Sequence, residues 1–390
     1  IINSQLKIEI LRIGVNTRLL IKDKLDGIGW HQYEVLKRIC KNHPEHHFFF
    51  FFDRPFDPAF VFAKNITPVI LRPQARHPIL FKIWFNRSIK RALVKYHIDL
   101  FYSPDGYLSL TSKVRQIGTF HDLNFEHYPQ DLRPSHAKYY RVQFPQFSKK
   151  ASHIITVSEF SKTDIIEKYK VDSKKISVIY NGVNTDYRPL SQQEKEDCRE
   201  RFTGGAAYFL HVGSLHPRKN ISRLISAFDL FKKTTQSNIK LVLAGNRYDW
   251  TKEMENAFQQ CSSNSDIVFT ERLLQKDMIQ LMGSAICLTY VSYFEGFGMP
   301  IIEAMRSGTP VITSNCTAIP EIAGNAALLI DPFNTLDIKN GMVSIYAKKE
   351  LREELINKGI NQAAKFDWDK TAERTWEVIQ NTITDASSVS

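Results

Sequence analysis

The sequence predicts an α/β protein of two domains, each organised around a parallel sheet covered by helices. Three observations carry this expectation. Short β-rich runs alternate with helix-spaced stretches along the chain. The alternation pauses near residue 185 and then starts again. Finally, 390 residues exceed what one hydrophobic core comfortably serves.

In the first half, residues 11–20 read as a strand, followed by a glycine-containing loop, Asp26-Gly27-Ile28-Gly29. Residues 30–41 place Tyr33, Leu36 and Cys40 at helical spacing, and residues 47–52 form the next strand. Residues 98–103, 116–120 and 153–157 are further short apolar strands. The second series has strands at 207–212, 239–244 and 286–291, with helices at 221–234 and 277–284. Between the series, Tyr187-Arg188-Pro189-Leu190, a polar run and Gly204-Gly205 suit an inter-domain connection. The expected domains are therefore residues 1–188 and 189–366. Two such halves leave a cleft at the carboxyl ends of their sheets, where ligands of open α/β sheets bind.

A content of 43% hydrophobic and 24% charged residues is that of a folded globular protein. No apolar run approaches the roughly 20 residues of a membrane span. The first residues, Ile1 to Lys7, lack the layout of a signal peptide and carry no initiating Met. Five scattered cysteines, none in Cys-x-x-Cys spacing, point to reduced thiols in the cytoplasm and away from a zinc site. The polar tail, residues 384–390, reads as disordered.

The net charge of +11 is unevenly spread. Residues 1–189 carry 30 Lys and Arg against 17 Asp and Glu; the remaining residues carry 22 against 24. A basic first half fits nucleic acid, an acidic membrane surface or an anionic acceptor, or simply a basic surface kept for solubility. Within it, residues 79–96 read as a basic amphipathic helix. Ile79, Leu80, Ile83, Trp84, Leu93 and Val94 form an apolar side opposite Lys82, Arg87, Lys90, Arg91 and Lys95. Such a helix either lies on an anionic membrane or packs its apolar side on the sheet.

The richest segment runs Phe294-Glu295-Gly296-Phe297-Gly298-Met299-Pro300-Ile301-Ile302-Glu303. A strand delivers a glycine turn, and Pro300 suits the first turn of a helix. Gly296 and Gly298 let backbone approach a ligand, and the helix start presents N–H groups suited to phosphate. Glu295 in the loop and Glu303, expected in the first helical turn, suit acceptance of hydrogen bonds from sugar hydroxyls. A second segment, His211-Val212-Gly213-Ser214-Leu215-His216-Pro217-Arg218-Lys219-Asn220, ends a strand at Gly213. It sets Arg218 and Lys219, with nothing apolar to cover, before a helix that Asn220 could cap. Two fixed cations there suit a diphosphate leaving group. Thr119-Phe120-His121-Asp122 follows a first-domain strand, where His121 is either structural or cleft-facing. Gly27-Ile28-Gly29 is a weak signal and no dinucleotide fingerprint, because Tyr33 and Glu34 stand where a third glycine would be.

Two glutamates eight positions apart around Gly-Phe-Gly-Met-Pro resemble the E-x7-E motif of retaining GT-B glycosyltransferases. Ser307-Gly308-Thr309-Pro310 and Pro320-Glu321-Ile322-Ala323-Gly324 also resemble the large family of bacterial mannosyl- and glucosyltransferases. The likeness spans roughly residues 13–378. It implies the GT-B fold, two Rossmann-like domains facing a cleft, with a final helix near 367–383 crossing back to the first domain. It implies that Glu295 contacts the donor hexose and Glu303 the ribose. It further implies that Arg218 and Lys219 neutralise the donor phosphates, and that His121, with Asp122 more loosely, lies beside the donor sugar. Gly29, Gly213, Gly296, Phe297, Gly298 and Met299 are the remaining expected donor contacts.

The implied reaction is retaining, metal-independent transfer of a hexose from a nucleotide sugar to a saccharide or lipid-linked saccharide, in surface polysaccharide synthesis. No Asp-x-Asp element is placed to hold a metal, and no cofactor or nucleic acid is expected. His121-Asp122-Leu123-Asn124 with Glu126-His127-Tyr128-Pro129 most resembles polysaccharide mannosyltransferases, which favours GDP-mannose over a UDP-hexose. Val268-Phe269-Thr270-Glu271-Arg272-Leu273 lacks the glycine usual in relatives and leaves the base open. The expected location is the cytoplasm, peripheral to the membrane's inner face. A sugar-nucleotide epimerase of the same fold and a non-catalytic sugar-nucleotide binder are the alternatives.

Overall fold

The computed structural model describes residues 10–384. The expectations for Ile1 to Lys7 and for the tail beyond Thr384 lie outside them. The chain divides into two compact units. One holds the residues up to Val157, Ser161–Tyr180 and those from Trp368 onward; the other holds Ser158–Phe160 and Asn181–Asp367.

The first unit is built on seven parallel strands: β1 (Arg12–Asn16), β2 (His47–Phe52), β3 (Ile66–Ile70), β4 (Leu100–Ser103), β5 (Arg115–Phe120), β6 (His153–Thr156) and β7 (Ile176–Val178). Their spatial order is β3-β2-β1-β4-β5-β6-β7. Five consecutive buried phenylalanines in β2 show why the run reads as continuous rather than alternating: helices cover both faces of the sheet. Ile13 pairs with Phe48 on one side and Leu100 on the other, which fixes β1 in the interior of the sheet. β1 is shorter than the sequence suggests, because Leu20 N–H already donates to Thr17 carbonyl in a turn. β3 and β7 escape the sequence reading. β3 carries Pro68 and is an edge strand, and β7 has three residues.

Two further expectations are corrected in this unit. Gly27-Ile28-Gly29 is no loop but the first turn of the helix Gly27–Asn42, whose N-cap Asp26 accepts from Gly29 N–H at 2.9 Å. The basic segment is helical over Pro78–Ile83, a wide π turn Trp84–Ile89, and Lys90–Lys95. The π turn shifts the phase of the helix, so Phe81, Trp84, Phe85, Ile89, Ala92 and Leu93 face the core. Ile79 and Val94, expected on the apolar side, are instead 63% and 68% exposed, beside exposed Lys82, Arg87, Lys90, Arg91 and Lys95. The helix Trp368–Thr384 also belongs to this unit, with Trp376 stacked on His43 at 4.1 Å.

The second unit has six parallel strands: β8 (Tyr208–Val212), β9 (Lys240–Ala244), β10 (Ile267–Thr270), β11 (Cys287–Tyr290), β12 (Val311–Ser314) and β13 (Leu328–Ile330). They lie in the order β10-β9-β8-β11-β12-β13. The sequence-adjacent neighbours of β8 therefore run one way and β11 onward runs the other, so the chain reverses direction across the sheet between β8 and β11. The polar run after residue 190 is a helix of this unit, Gln192–Thr203, not a loose connection. Ser191 and Glu194 form a reciprocal capping box, and Gly204 in the left-handed conformation ends it. Core packing centres on Phe209, Leu224, Phe228 and Leu241.

Candidate active site

In an open parallel sheet, loops leaving two strands in opposite directions open a crevice at their carboxyl ends. In the second unit that place is between β8 and β11. The loop after β8 supplies Arg218 and Lys219 in a single 3-10 turn, Pro217–Lys219, capped by His216. The end of β11 supplies Tyr290 and, five residues on, Glu295.

These groups meet. Lys219 Nζ donates to Glu295 Oε1 at 2.5 Å, and Arg218 Nη1 lies 2.7 Å from Glu295 Oε2. Each carboxylate oxygen thus takes one cation. Burial alone would push the Glu295 carboxyl up, but Arg218 and Lys219 outweigh it and hold the group at about 2. The cluster therefore carries one net positive charge at neutral pH. The expectation of an uncovered cation pair is corrected for Lys219: it is buried, its ammonium 4.7 Å from the centre of the Tyr290 ring. Asn220 does not cap the following helix through its side chain. It adopts a left-handed conformation, and its amide donates to Val291 and Pro332 carbonyls, tying the Lys219 turn to the sheet.

Gly213 and Gly245 show how closely this loop is held. Gly213 has φ +133, and a Cβ on Gly245 would lie 1.8 Å from the Gly213 carbonyl oxygen. No side chain fits there. Gly296, Phe297 and Gly298 are buried in the turn after Glu295, with the Gly296 carbonyl accepting from Ser158 Oγ at 2.7 Å. Gly298, at φ +102, opens the helix Met299–Arg306, with Pro300 in its first turn. Glu303 is the fifth residue of that helix, so it stands in the second turn rather than the first. Its half-buried carboxyl is hydrogen-bonded to Tyr187, and burial raises it to about 7 despite that bond.

His121, Asp122 and Gly29 belong to the first unit. His121 follows β5 and its Nε2 donates to the Pro104 carbonyl at 2.7 Å, its ring edge-on to His31 at 5.0 Å. Burial lowers its pKa, which keeps the imidazole neutral. Asp122 accepts from Asn124 N–H at 3.0 Å. The first sheet reverses between β1 and β4, and that point is closed by a network absent from the sequence reading. Asn16 donates to Ser103 Oγ at 3.0 Å and to Asp105 Oδ1 at 2.7 Å, while Arg18 Nε reaches Asp105 Oδ2 at 2.8 Å.

Sequence reasoning also missed Tyr290, His211, Tyr187 and Ser158. His211 and Tyr187 stand within segments that the sequence singles out, but nothing in the residue order marks them for the site. His211 is fully buried in β8, with Nδ1 3.3 Å from the Thr289 carbonyl and its ring stacked 6.1 Å from Tyr290. Burial, then the Lys219 charge, lowers it to about 3. Among the described residues, no three His, Cys, Asp or Glu side chains cluster as metal ligands would. No helix among them is long and apolar enough to cross a membrane.

The chain matches the family described as "Glycosyl transferases group 1" over residues 192–362 and "Glycosyltransferase Family 4" over residues 25–187. It is 32% identical to the O-antigen chain mannosyltransferase RfbU of Salmonella typhimurium, over 80% of this chain and 82% of that protein. It is 27% identical to O-antigen chain mannosyltransferase B of Escherichia coli, over 91% and 96%. Among solved structures, Anabaena HepE in complex with UDP-glucose superposes with a TM-score of 0.75 at 18% identity, covering 95% of this chain and 100% of that one.

Proposed function

Since the chain belongs to the group 1 glycosyl transferases, with two Rossmann-like parallel-sheet domains of the GT-B class, we propose that it transfers mannose from GDP-mannose to a saccharide or lipid-linked saccharide, with retention and without a metal. The mannosyl assignment rests on the two O-antigen relatives and on the His121-Asp122-Leu123-Asn124 segment. One observation supports the chemistry above the others: Arg218 and Lys219 converge on Glu295 at the reversal point of the second sheet.

In this reading the acceptor hydroxyl attacks the anomeric carbon from the side the diphosphate leaves. The bond from that carbon to the phosphate oxygen breaks, a new bond to the acceptor oxygen forms, and the acceptor proton passes to a leaving phosphate oxygen. Negative charge gathers on the diphosphate as this happens. Arg218 and Lys219, fixed before the reaction, stabilise that charge more in the transition state than in the ground state. Glu295 holds both cations in place and takes hydrogen bonds from hexose hydroxyls. Glu303 takes those of the ribose, and Gly213, Gly296, Phe297, Gly298 and Met299 shape the wall around the donor. His121 and Asp122 are assigned to the donor sugar and Gly29 to donor binding.

In this reading the acceptor lies at an anionic membrane surface; the exposed basic side of residues 78–95, with exposed Ile79 and Val94, supports it. The test is a thermal-shift panel of GDP- and UDP-sugars on the full chain, followed by NMR of the product's anomeric centre. GDP-mannose should give the largest stabilisation, and the product should keep the donor's configuration. No shift with any nucleotide sugar overturns the donor assignment; an inverted product overturns the mechanism.

A further inference from the structure

Tyr290 ends β11, and its side chain is 1% exposed. A buried phenol needs a hydrogen-bond partner, and any carbonyl nearby would serve. Here the hydroxyl joins two charged groups instead. It accepts from Lys219 Nζ at 2.5 Å and donates to Glu295 Oε1 at 2.9 Å. With the 2.5 Å contact between Lys219 and that same oxygen, the three atoms close a triangle. The ring is held on both sides of its function: Thr313 Oγ1 donates to the Tyr290 carbonyl at 2.7 Å, and the fully buried His211 ring stacks against it.

The geometry assigns to Tyr290 the role of a positioning residue that holds the Lys219 ammonium at a fixed point between the phenol oxygen and Glu295. This rests on the transferase reading above, in which Lys219 meets the leaving diphosphate. The physical reason is competition for one oxygen. Without the hydroxyl, Glu295 Oε1 has Lys219 as its strong partner and Lys219 loses its neutral acceptor. The ammonium is then less firmly directed and its protons are less protected. With the hydroxyl present, Oε1 is shared, and the ammonium is held by the phenol oxygen as well as by the carboxylate. Burial and the negative charge of Glu295 keep the phenol in its protonated, donating form. The ring itself packs against His211, so hydroxyl and ring can be told apart by substitution.

Y290F keeps the ring and removes the hydroxyl; Y290L removes both. Turnover of the nucleotide sugar should fall about ten- to hundred-fold in Y290F, the loss of a hydrogen bond to charged groups, with KM changed by no more than about two-fold. Y290L should fall further. The second readout needs no activity: in protein labelled with 15N-lysine, the Lys219 Nζ protons should exchange slowly in the native chain and fast in Y290F at unchanged melting temperature. Native kcat in a folded Y290F, or unchanged Nζ exchange, overturns the assignment. A native chain that turns over no nucleotide sugar overturns the transferase reading instead, and the exchange measurement then decides the role of Tyr290 by itself.

Discussion

Lys219 Nζ and Glu295 Oε1 lie 2.5 Å apart, with only 8% and 7% of the two side chains exposed. A pair this sheltered behaves differently from one on the surface. Its charges are strong because water is excluded, and each is costly if stranded. That sets the first prediction.

Lys219→Met should lower kcat at least ten- to hundred-fold and should also destabilise the fold, by about 3–5 kcal/mol, because Glu295 keeps its charge with one cation fewer. The double variant Lys219→Met with Glu295→Gln should recover part of the lost stability and none of the activity. Thermal unfolding with steady-state kinetics checks both. A double variant as unstable as the sum of the singles would show the pair to be uncoupled.

Glu303 gives a prediction in pH. Its folded-state pKa, about 7, stands above its ordinary value of 4.5. A carboxyl raised in this way favours the folded state fully below about pH 4.5, and that contribution is lost as pH rises through 7. Glu303→Gln removes the charge that burial opposes. It should raise the melting temperature by roughly 5 °C at pH 8 and leave it little changed at pH 4.5. Donor binding should move the other way, since ribose hydroxyls bond best to the ionised carboxylate. Affinity of the native chain should rise between pH 5 and 7 with release of a proton, measurable by calorimetry in buffers of different ionisation enthalpy.

His211 shapes the acid side. Its folded-state value, about 3, lies below the ordinary 6.5, so the unfolded chain binds the extra proton between those limits. Stability should therefore fall as pH drops from 6.5 toward 3, by roughly 1.4 kcal/mol per unit from this group. His211→Phe should flatten that slope, read by denaturant unfolding across the range.

Residues 78–95 predict salt-dependent association with anionic vesicles. Replacing Lys90, Arg91 and Lys95 by Gln should weaken binding by about 1 kcal/mol per residue at low salt, with little effect by 0.5 M. Ile79→Ser should weaken it at every salt concentration. Vesicle flotation separates the two contributions, and no flotation at low salt rejects the surface.

Much of this was readable from residue order because parallel sheets leave a strong trace. The phenylalanines of β2 and the apolar β8 and β9 cannot be exposed on either face, so their strands announce themselves. The Pro68 edge strand and three-residue β7 carry no such run and were not visible. The glycines before Trp30 suggest a loop, since glycine disfavours helices; the Asp26 cap outweighs that preference locally. The phase of residues 78–95 departs from a 3.6 period because the π turn at Trp84–Ile89 adds a residue that such a period does not contain. At the site, charged residues in named motifs were legible. Tyr290 and His211 were not, because in the sequence each is one more large residue in a buried strand, and only three-dimensional contact reveals what its polar atom does.

The Gly213 carbonyl crowding Gly245 has a practical corollary for engineering. Residues 246–250 follow Gly245 directly and are the first at which a segment can be replaced without touching this contact. Any graft must keep its junction after Gly245, because a single methyl there would strike the Gly213 carbonyl oxygen and push the backbone leading to Lys219 out of line. Chimeras that respect this seam can vary what lies beyond it; those that cross it should lose turnover whatever sugar they are offered.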